Sequence, residues 1–306
     1  MNRFYDAANA RLGLNTYLNR SMQESRDSEF LGGLNVQQCT VTMFNEPQCF
    51  RMTKRVDAQL EEVVVHVPGI LCSKTLPPIE RALVAKPSHV RNLRQYVKIT
   101  GLGSLPFDSL CNKIDEVHAR FCAELPGQEV AYPEFRPYEG DFALDLHSRY
   151  FTERRYAPRL RHQPFNDDVD PYHILEHVRG ADFIHAPDNE VQFLKKTYDG
   201  NNCARYETLP PKALKEGDLV ECSFGFVAYP LGKQGGHKLV LHLRAVSLIS
   251  AIFREKSESA REAHLPPATT KGRKRDLGSD ESAPILKRKY IPTDSHSLDL
   301  GSMTMN

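Results

Sequence analysis

The chain has 306 residues, 40% of them hydrophobic, 26% charged and 9% aromatic, with a formal net charge of +1. That length and apolar content allow a sizeable core, as one large domain or two small ones. No apolar segment approaches the roughly 20 residues needed to span a bilayer and no charged leader precedes an apolar run, so a soluble, intracellular protein with no membrane partner is expected.

The near-zero charge is uneven, with Asp57 to Glu62 acidic and both Arg149 to Arg161 and Lys271 to Lys289 basic. The seven cysteines (Cys39, Cys49, Cys72, Cys111, Cys122, Cys203 and Cys222) are scattered and never form a C-x-x-C pair. Reduced thiols fit that pattern better than a disulfide frame or a zinc ribbon.

Residues 1–36 carry Leu12, Leu14, Tyr17, Leu18 and Met22 among many polar residues and read as a helical or mobile arm. From Gln38 the runs VTMF, PQCFRMT and VVVHV are short, β-branched and bounded by Pro or Asn, as strands are. Pro68-Gly69 is expected to end the third. A helical turn over Pro78 to Val84 precedes a strand in NLRQYVKIT, where Leu93, Gln95, Val97 and Ile99 do not alternate cleanly.

Phe107 to Leu125 has the strongest helical periodicity, with Leu110, Ile114, Val117, His118 and Phe121 at three- and four-residue steps and Pro126-Gly127 as the stop. FALDLHSRYF alternates as a strand. Asn166-Asp167-Asp168 and Asp170-Pro171 cap a short helix, PYHILEHV, that Gly180 ends. ADFIHA is a strand, and EVQFLKKTY-DGNN-CARYETL is a hairpin with an Asp-Gly turn.

The longest strand-forming tract is Gly217 to Ser250. Val220, Cys222, Phe224, Phe226 and Ala228 alternate with Glu221, Ser223 and Gly225, the pattern of a half-buried strand. Pro230 and Gly235-Gly236 turn the chain, which returns with Leu239, Leu241, Leu243 and Ala245 alternating with Lys238, His242 and Arg244. Past Phe253 apolar residues become too sparse to offset the entropy of ordering, so a disordered tail is expected.

The expected fold class is α+β and β-dominated, an antiparallel barrel or sandwich of about ten strands and three helices. Its core spans 37–252, as one body or as subdomains 37–136 and 137–252, followed by a disordered basic tail over 253–306.

GADFIHAPDNEVQFLKK together with GDLVECSFGFVAYPLGKQGGHKLVLHLRAVSLIS resembles a family of proteins of no known activity from mushroom-forming fungi, which share such a core ahead of a variable tail. The resemblance covers roughly Tyr138 to Ser250 and implies no cofactor or catalytic residue. The Gly-Asp-aliphatic-Val-Glu strand before a long hairpin is also similar to one corner of OB-type barrels.

Three constellations carry chemistry. Lys271-Gly-Arg273-Lys274-Arg275, then Asp276 to Leu286, then Lys287-Arg288-Lys289 puts two basic clusters on a short Pro-containing spacer, the form of a two-part nuclear import signal. That form implies an import receptor as partner and the nucleus as location. A solvated polycationic tail is the plainer alternative.

In RYFTERRYAPRLRHQPF, Arg149, Arg154, Arg155, Arg159 and Arg161 interleave with Tyr150 and Tyr156. Guanidinium groups neutralise phosphates and aromatic faces accept any base, so this segment suits single-stranded nucleic acid. The competing account is an edge strand whose arginines pair with Glu176, Asp182 or Asp188 and whose aromatics are core. Lys195-Lys196, Lys233 and Lys238 are further candidates for the same basic face.

Third, His173, Glu176 and His177 have the spacing of an inverted zinc-peptidase helix, though on only about two turns and without a downstream carboxylate helix. The expectation is a non-enzymatic nuclear module that binds nucleic acid, without metal or cofactor. The alternatives are a protein-interaction scaffold using the exposed edge of the Gly217–Ser250 hairpin and a zinc hydrolase built on His173, Glu176 and His177.

Overall fold

The computed structural model describes residues 1–23, 29–81, 86–200, 203–232 and 235–264. In chain order they form α1 (Ala7–Gln23), β1 (Thr40–Asn45), β2 (Gln48–Val56), β3 (Gln59–Glu62), β4 (Val64–Thr75), α2 (Pro87–Asn92), β5 (Arg94–Thr100), α3 (Leu105–Asp108) and α4 (Leu110–Glu124). There follow β6 (Val130–Ala131), β7 (Ala143–Arg149), β8 (Thr152–Glu153), α5 (Ile174–Arg179), β9 (Phe183–Ile184), β10 (Gln192–Tyr198), β11 (Ala204–Thr208), β12 (Leu219–Pro230), β13 (His237–Ser250) and α6 (Ile252–Ala263). The fold is β-dominated α+β. Six α-helical segments are described rather than three.

The hairpin β12–β13 is the hub. Gly235 and Gly236 take the positive φ values, 70° and 75°, that the turn demands, and the Leu231 amide donates to Gly236 O at 3.0 Å. β12 then pairs with β4 over Leu219–Gly225 and with β2 at Val227 and Ala228. β4 pairs with β5, β5 with β7, and β7 meets β13 in parallel at one register position, His147 opposite His242.

These pairings run β12–β4–β5–β7–β13 and back to β12. The result is a partial ring within an eleven-stranded sheet, neither a clear barrel nor a two-sheet sandwich. Its weak closure lies between β7 and β13. One apolar cluster, from Ala10 to Val246, fills the fold on both sides of residue 136.

Several local expectations change in three dimensions. β4 does not stop at Pro68-Gly69; it runs on to Thr75. Ladder bonds to β5 begin only at Ile70, so the missing Pro68 N–H costs no pairing, and Gly69 serves packing instead of a turn. A Cβ there would lie 2.9 Å from Ile99 Cβ and 3.2 Å from the Phe107 ring.

Of the helical or mobile arm expected at the N-terminus, residues Ala7–Gln23 are a helix: Ala10, Leu14 and Leu18 recur every four residues along α1 and are fully buried. Helix α6 occupies the first part of the stretch expected to be disordered. It is anchored by an ion pair of 2.6 Å between Arg254 Nε and the buried Asp218. The remainder of the expected tail, 265–306, with Lys271, Arg273, Lys274, Arg275, Lys287, Arg288 and Lys289, lies outside the described residues.

No disulfide joins any of the seven cysteines. Among the described residues no helix is long and apolar enough to cross a membrane.

Gly69→Ala is expected to overpack the site against Ile99 and Phe107 and cost about 1–3 kcal/mol. Urea unfolding checks it, with a lowered midpoint at unchanged slope as the outcome.

Candidate nucleic-acid interface

Strand alternation sends Gln95, Val97 and Ile99 of β5, and Leu144, Leu146 and Ser148 of β7, into the buried side. The opposite face is therefore Arg94, Tyr96 and Lys98 beside Asp145, His147 and Arg149. Antiparallel register sets Arg94 opposite Arg149, Tyr96 opposite His147 and Lys98 opposite Asp145.

Arg94, Tyr96, Lys98, Asp145 and His147 line a groove of about 550 Å³ that continues to Pro133, Glu134, Arg136 and Lys238–Leu241, and Arg149 stands beside it, opposite Arg94. The groove lies along the seam where β7 and β13 part company after their single pair.

Asp145 organises the floor. It accepts hydrogen bonds from the Tyr96 hydroxyl and, at 3.0 Å, from the Arg136 amide, while Lys98 Nζ lies 3.5 Å away and donates to Arg136 O. Glu134 pairs with Lys238 across the seam at 2.8 Å.

Among the described residues no carboxylate pairs with Arg94, Arg136 or Arg149, and all three are exposed. Arg94 and Arg149 face each other as like charges, an arrangement that weakens a sheet on its own account. Arg149 also lies over the Tyr229 ring, 6.0 Å from its centroid. Burial, helped by the charges of Arg94, Arg149 and Lys238, pushes the His147 imidazole down to about 4, so it is neutral near pH 7.

The basic surface extends from this end. Glu153 holds Arg91 at 2.5 Å and Arg155 at 2.8 Å, and the Arg155 guanidinium sits 4.6 Å from the centroid of the half-exposed Tyr156.

Beneath it lies a buried ion cluster. Arg51 grips Asp188 through two bonds of 2.8 Å and reaches Glu62 at 3.1 Å. Arg244 reaches the same Glu62 at 2.6 Å and Asp188 at 2.8 Å. Although burial would raise the Asp188 carboxyl, His242, Arg51 and Arg244 hold it well below its ordinary value. His242 contacts the Ser148 hydroxyl at 3.1 Å, and burial pushes its imidazole down to about 3.

The residues expected from the Arg/aromatic segment separate into three groups. Arg149 stands opposite Arg94 beside the groove, and Arg155 and Tyr156 lie on the basic surface beyond it. Tyr150 is 2% exposed and stacks within the core, so no base reaches its ring. Arg154 donates to Ala181 O, Arg159 pairs with Glu46 at 3.4 Å and Arg161 is exposed, all on the loop beyond.

The pairings expected with carboxylates do not form: Asp188 is taken by Arg51 and Arg244, Glu176 by His162 and Arg179, and Asp182 offers only its backbone carbonyl to the Arg154 amide. Lys238 lines the groove, Lys196 is buried against Glu221 at 2.8 Å, and Lys233 lies outside the described residues.

Arg91, Arg94, Tyr96, Lys98 and Arg136 were missed. The available signal was the period-two pattern Arg-x-Tyr-x-Lys in β5 facing Asp-x-His-x-Arg in β7.

The zinc-helix spacing is also corrected. Both Glu176 oxygens are occupied, by His162 at 2.5 Å and Arg179 at 2.9 Å, and His173 sits outside α5 with φ of 53°. Among the described residues no group of His, Cys, Asp or Glu is placed to hold a metal ion. The hairpin edge proposed for strand addition is covered as well, because β12 is flanked by β4 and β2 and β13 by β7 and β10.

No family model matches the chain, and no curated protein does. Among solved structures it is similar to gp2.5, a single-stranded DNA-binding protein encoded by bacteriophage T7, with 12% identity over 61% of this chain and 86% of that one. The TM-score is 0.33, which carries no argument about fold or ligand.

His147 and His242 have lower pKa values folded than unfolded, so the unfolded chain takes up more protons below about pH 6.5 and stability falls toward pH 4. Each contributes up to about 1.4 kcal/mol per pH unit in that window. Urea midpoints between pH 7.5 and 4.5 are expected to drop, and His147→Gln is expected to flatten the slope.

Proposed function

We propose that the protein is a binding module, without catalytic activity, that holds single-stranded nucleic acid along the groove between β5, β7 and β13. The observation that carries this reading is the pair of like charges, Arg94 opposite Arg149, exposed without carboxylate partners at the mouth of a basic, tyrosine-containing groove. Phosphates supply the counter-charge that the protein leaves out. Tyr96, Tyr156 and Tyr229 supply stacking or cation–π surface, which is tolerant of base identity.

The OB-like reading of the core belongs to the same proposal. It is supported by the five strands pairing in a ring, with the ligand face on the strands flanking its weak closure. The two-part basic tail, Lys271 to Lys289, supplies the nuclear address.

Fluorescence anisotropy with a labelled oligonucleotide at two salt concentrations tests the groove. Binding is expected to weaken with salt, and Arg94→Ala with Arg149→Ala is expected to reduce affinity roughly tenfold and the log–log salt slope by about 0.7 for each phosphate no longer neutralised. No binding at low salt removes the proposal.

For the address, replacing Lys287, Arg288 and Lys289 by Ala in a fluorescent fusion is expected to shift the protein from nucleus to cytoplasm.

A further inference from the structure

A second cavity lies away from the groove, on the buried side of β5. About 360 Å³ in volume, within the range of ordinary small-molecule sites, it is walled by Pro164, Phe165, Val169 and Val191 and edged by Gln95, Gln163, Asn166, His185 and Glu190. None of these residues is basic at neutral pH, so the cavity is not an anion site.

The free hydrogen-bonding atoms can be assigned. His185, only 7% exposed, uses Nδ1 to donate to Tyr150 O at 2.9 Å. Its ring is clasped by Phe165 at 4.1 Å, which leaves Nε2 as the atom open to the cavity. Burial lowers its pKa, so at neutral pH Nε2 is a lone-pair acceptor. Gln95 donates its amide N–H to Asn189 O and keeps its carbonyl oxygen, and Asn166 accepts the Val169 amide through Oδ1 and keeps its NH₂. Gln163 adds a carbonyl oxygen and an NH₂, so with the Glu190 carboxylate the acceptor atoms (His185 Nε2, the Gln95 and Gln163 carbonyl oxygens and both Glu190 oxygens) outnumber the donor nitrogens (Asn166, Gln163 and the second N–H of Gln95).

His185 is held from behind. His162 accepts the His185 amide through Nδ1 at 3.1 Å and, through Nε2, meets Glu176 at 2.5 Å.

We propose that this cavity binds a nucleobase bearing N–H donors, an amino-substituted purine or cytosine, with the ring between the apolar walls and its N–H edge on His185 Nε2, Gln95 and Glu190. A ring with several N–H groups satisfies the surplus of acceptors, whereas a phosphate or carboxylate brings no N–H to them and faces the Glu190 charge. Arg159 and Arg161 lie immediately upstream of Gln163 on an exposed loop, so a base can enter while its backbone rests on them. This site does not depend on the groove, because a free nucleoside suffices to fill it.

The test uses the full chain with its histidines labelled for NMR, the His185 resonance being identified by its absence from His185→Phe. Guanosine, adenosine, cytidine and uridine are titrated to about 10 mM. The expected result is a saturable shift of the His185 resonance with the amino-bearing nucleosides, at least fivefold weaker with uridine and lost in the surface variant Glu190→Ala. Arg94→Ala is expected to keep the response, which separates this site from the groove. No shift with any nucleoside, equal response to uridine, or full retention in Glu190→Ala overturns the proposal.

Discussion

The structure depends on the charges buried against the second face of β12. Glu221 is 3% exposed and held by Lys196, while Gly225 lies under Glu62, which with Arg51, Asp188 and Arg244 ties β2, β3 and β13 to the loop after β9. A Cβ at Gly225 would sit 2.7 Å from a Glu62 oxygen, so the ion cluster and the bare backbone require each other. Such clusters stabilise little relative to apolar packing, yet losing one partner strands a buried charge at a cost of about 3–5 kcal/mol. They tie β2 and β3 to β13 at Arg244, two residues from His242, where β13 meets β7.

From that seam the candidate interface follows. A fully laddered β7–β13 pair would leave a flat sheet face. One pair followed by divergence leaves a trough, which the Pro133–Arg136 loop edges with its own Arg136. The same strands carry apolar residues toward the core and cations toward the trough, so the core and the candidate interface use alternate positions of one sequence.

What could be read beforehand was local. The hairpin β12–β13, helix α4 and the β10–β11 hairpin are written in alternation, helical spacing and turn residues within a few positions of one another. The groove was not, because Arg94 and Arg149 are 55 residues apart and become neighbours only through β5–β7 register. Tyr150 was misplaced for the complementary reason: it directly follows Arg149, at the point where the strand ends and the ring turns into the core. The half-buried reading of β12 failed because its polar face is covered by charges contributed from β2, β3, β10 and β13. Composition also could not foresee α6, whose anchor, Asp218, precedes Arg254 by 36 residues.

The opposed Arg94 and Arg149 have one more consequence. Repulsion between them is a standing debt in the empty protein, and any polyvalent anion held there is linked thermodynamically to the native state. If the groove holds a polyanion as proposed, occupancy and lifetime are coupled: empty copies open more often and meet proteases sooner than filled ones. On the proposed function, the amount of this protein in a cell would then follow the polyanion on offer.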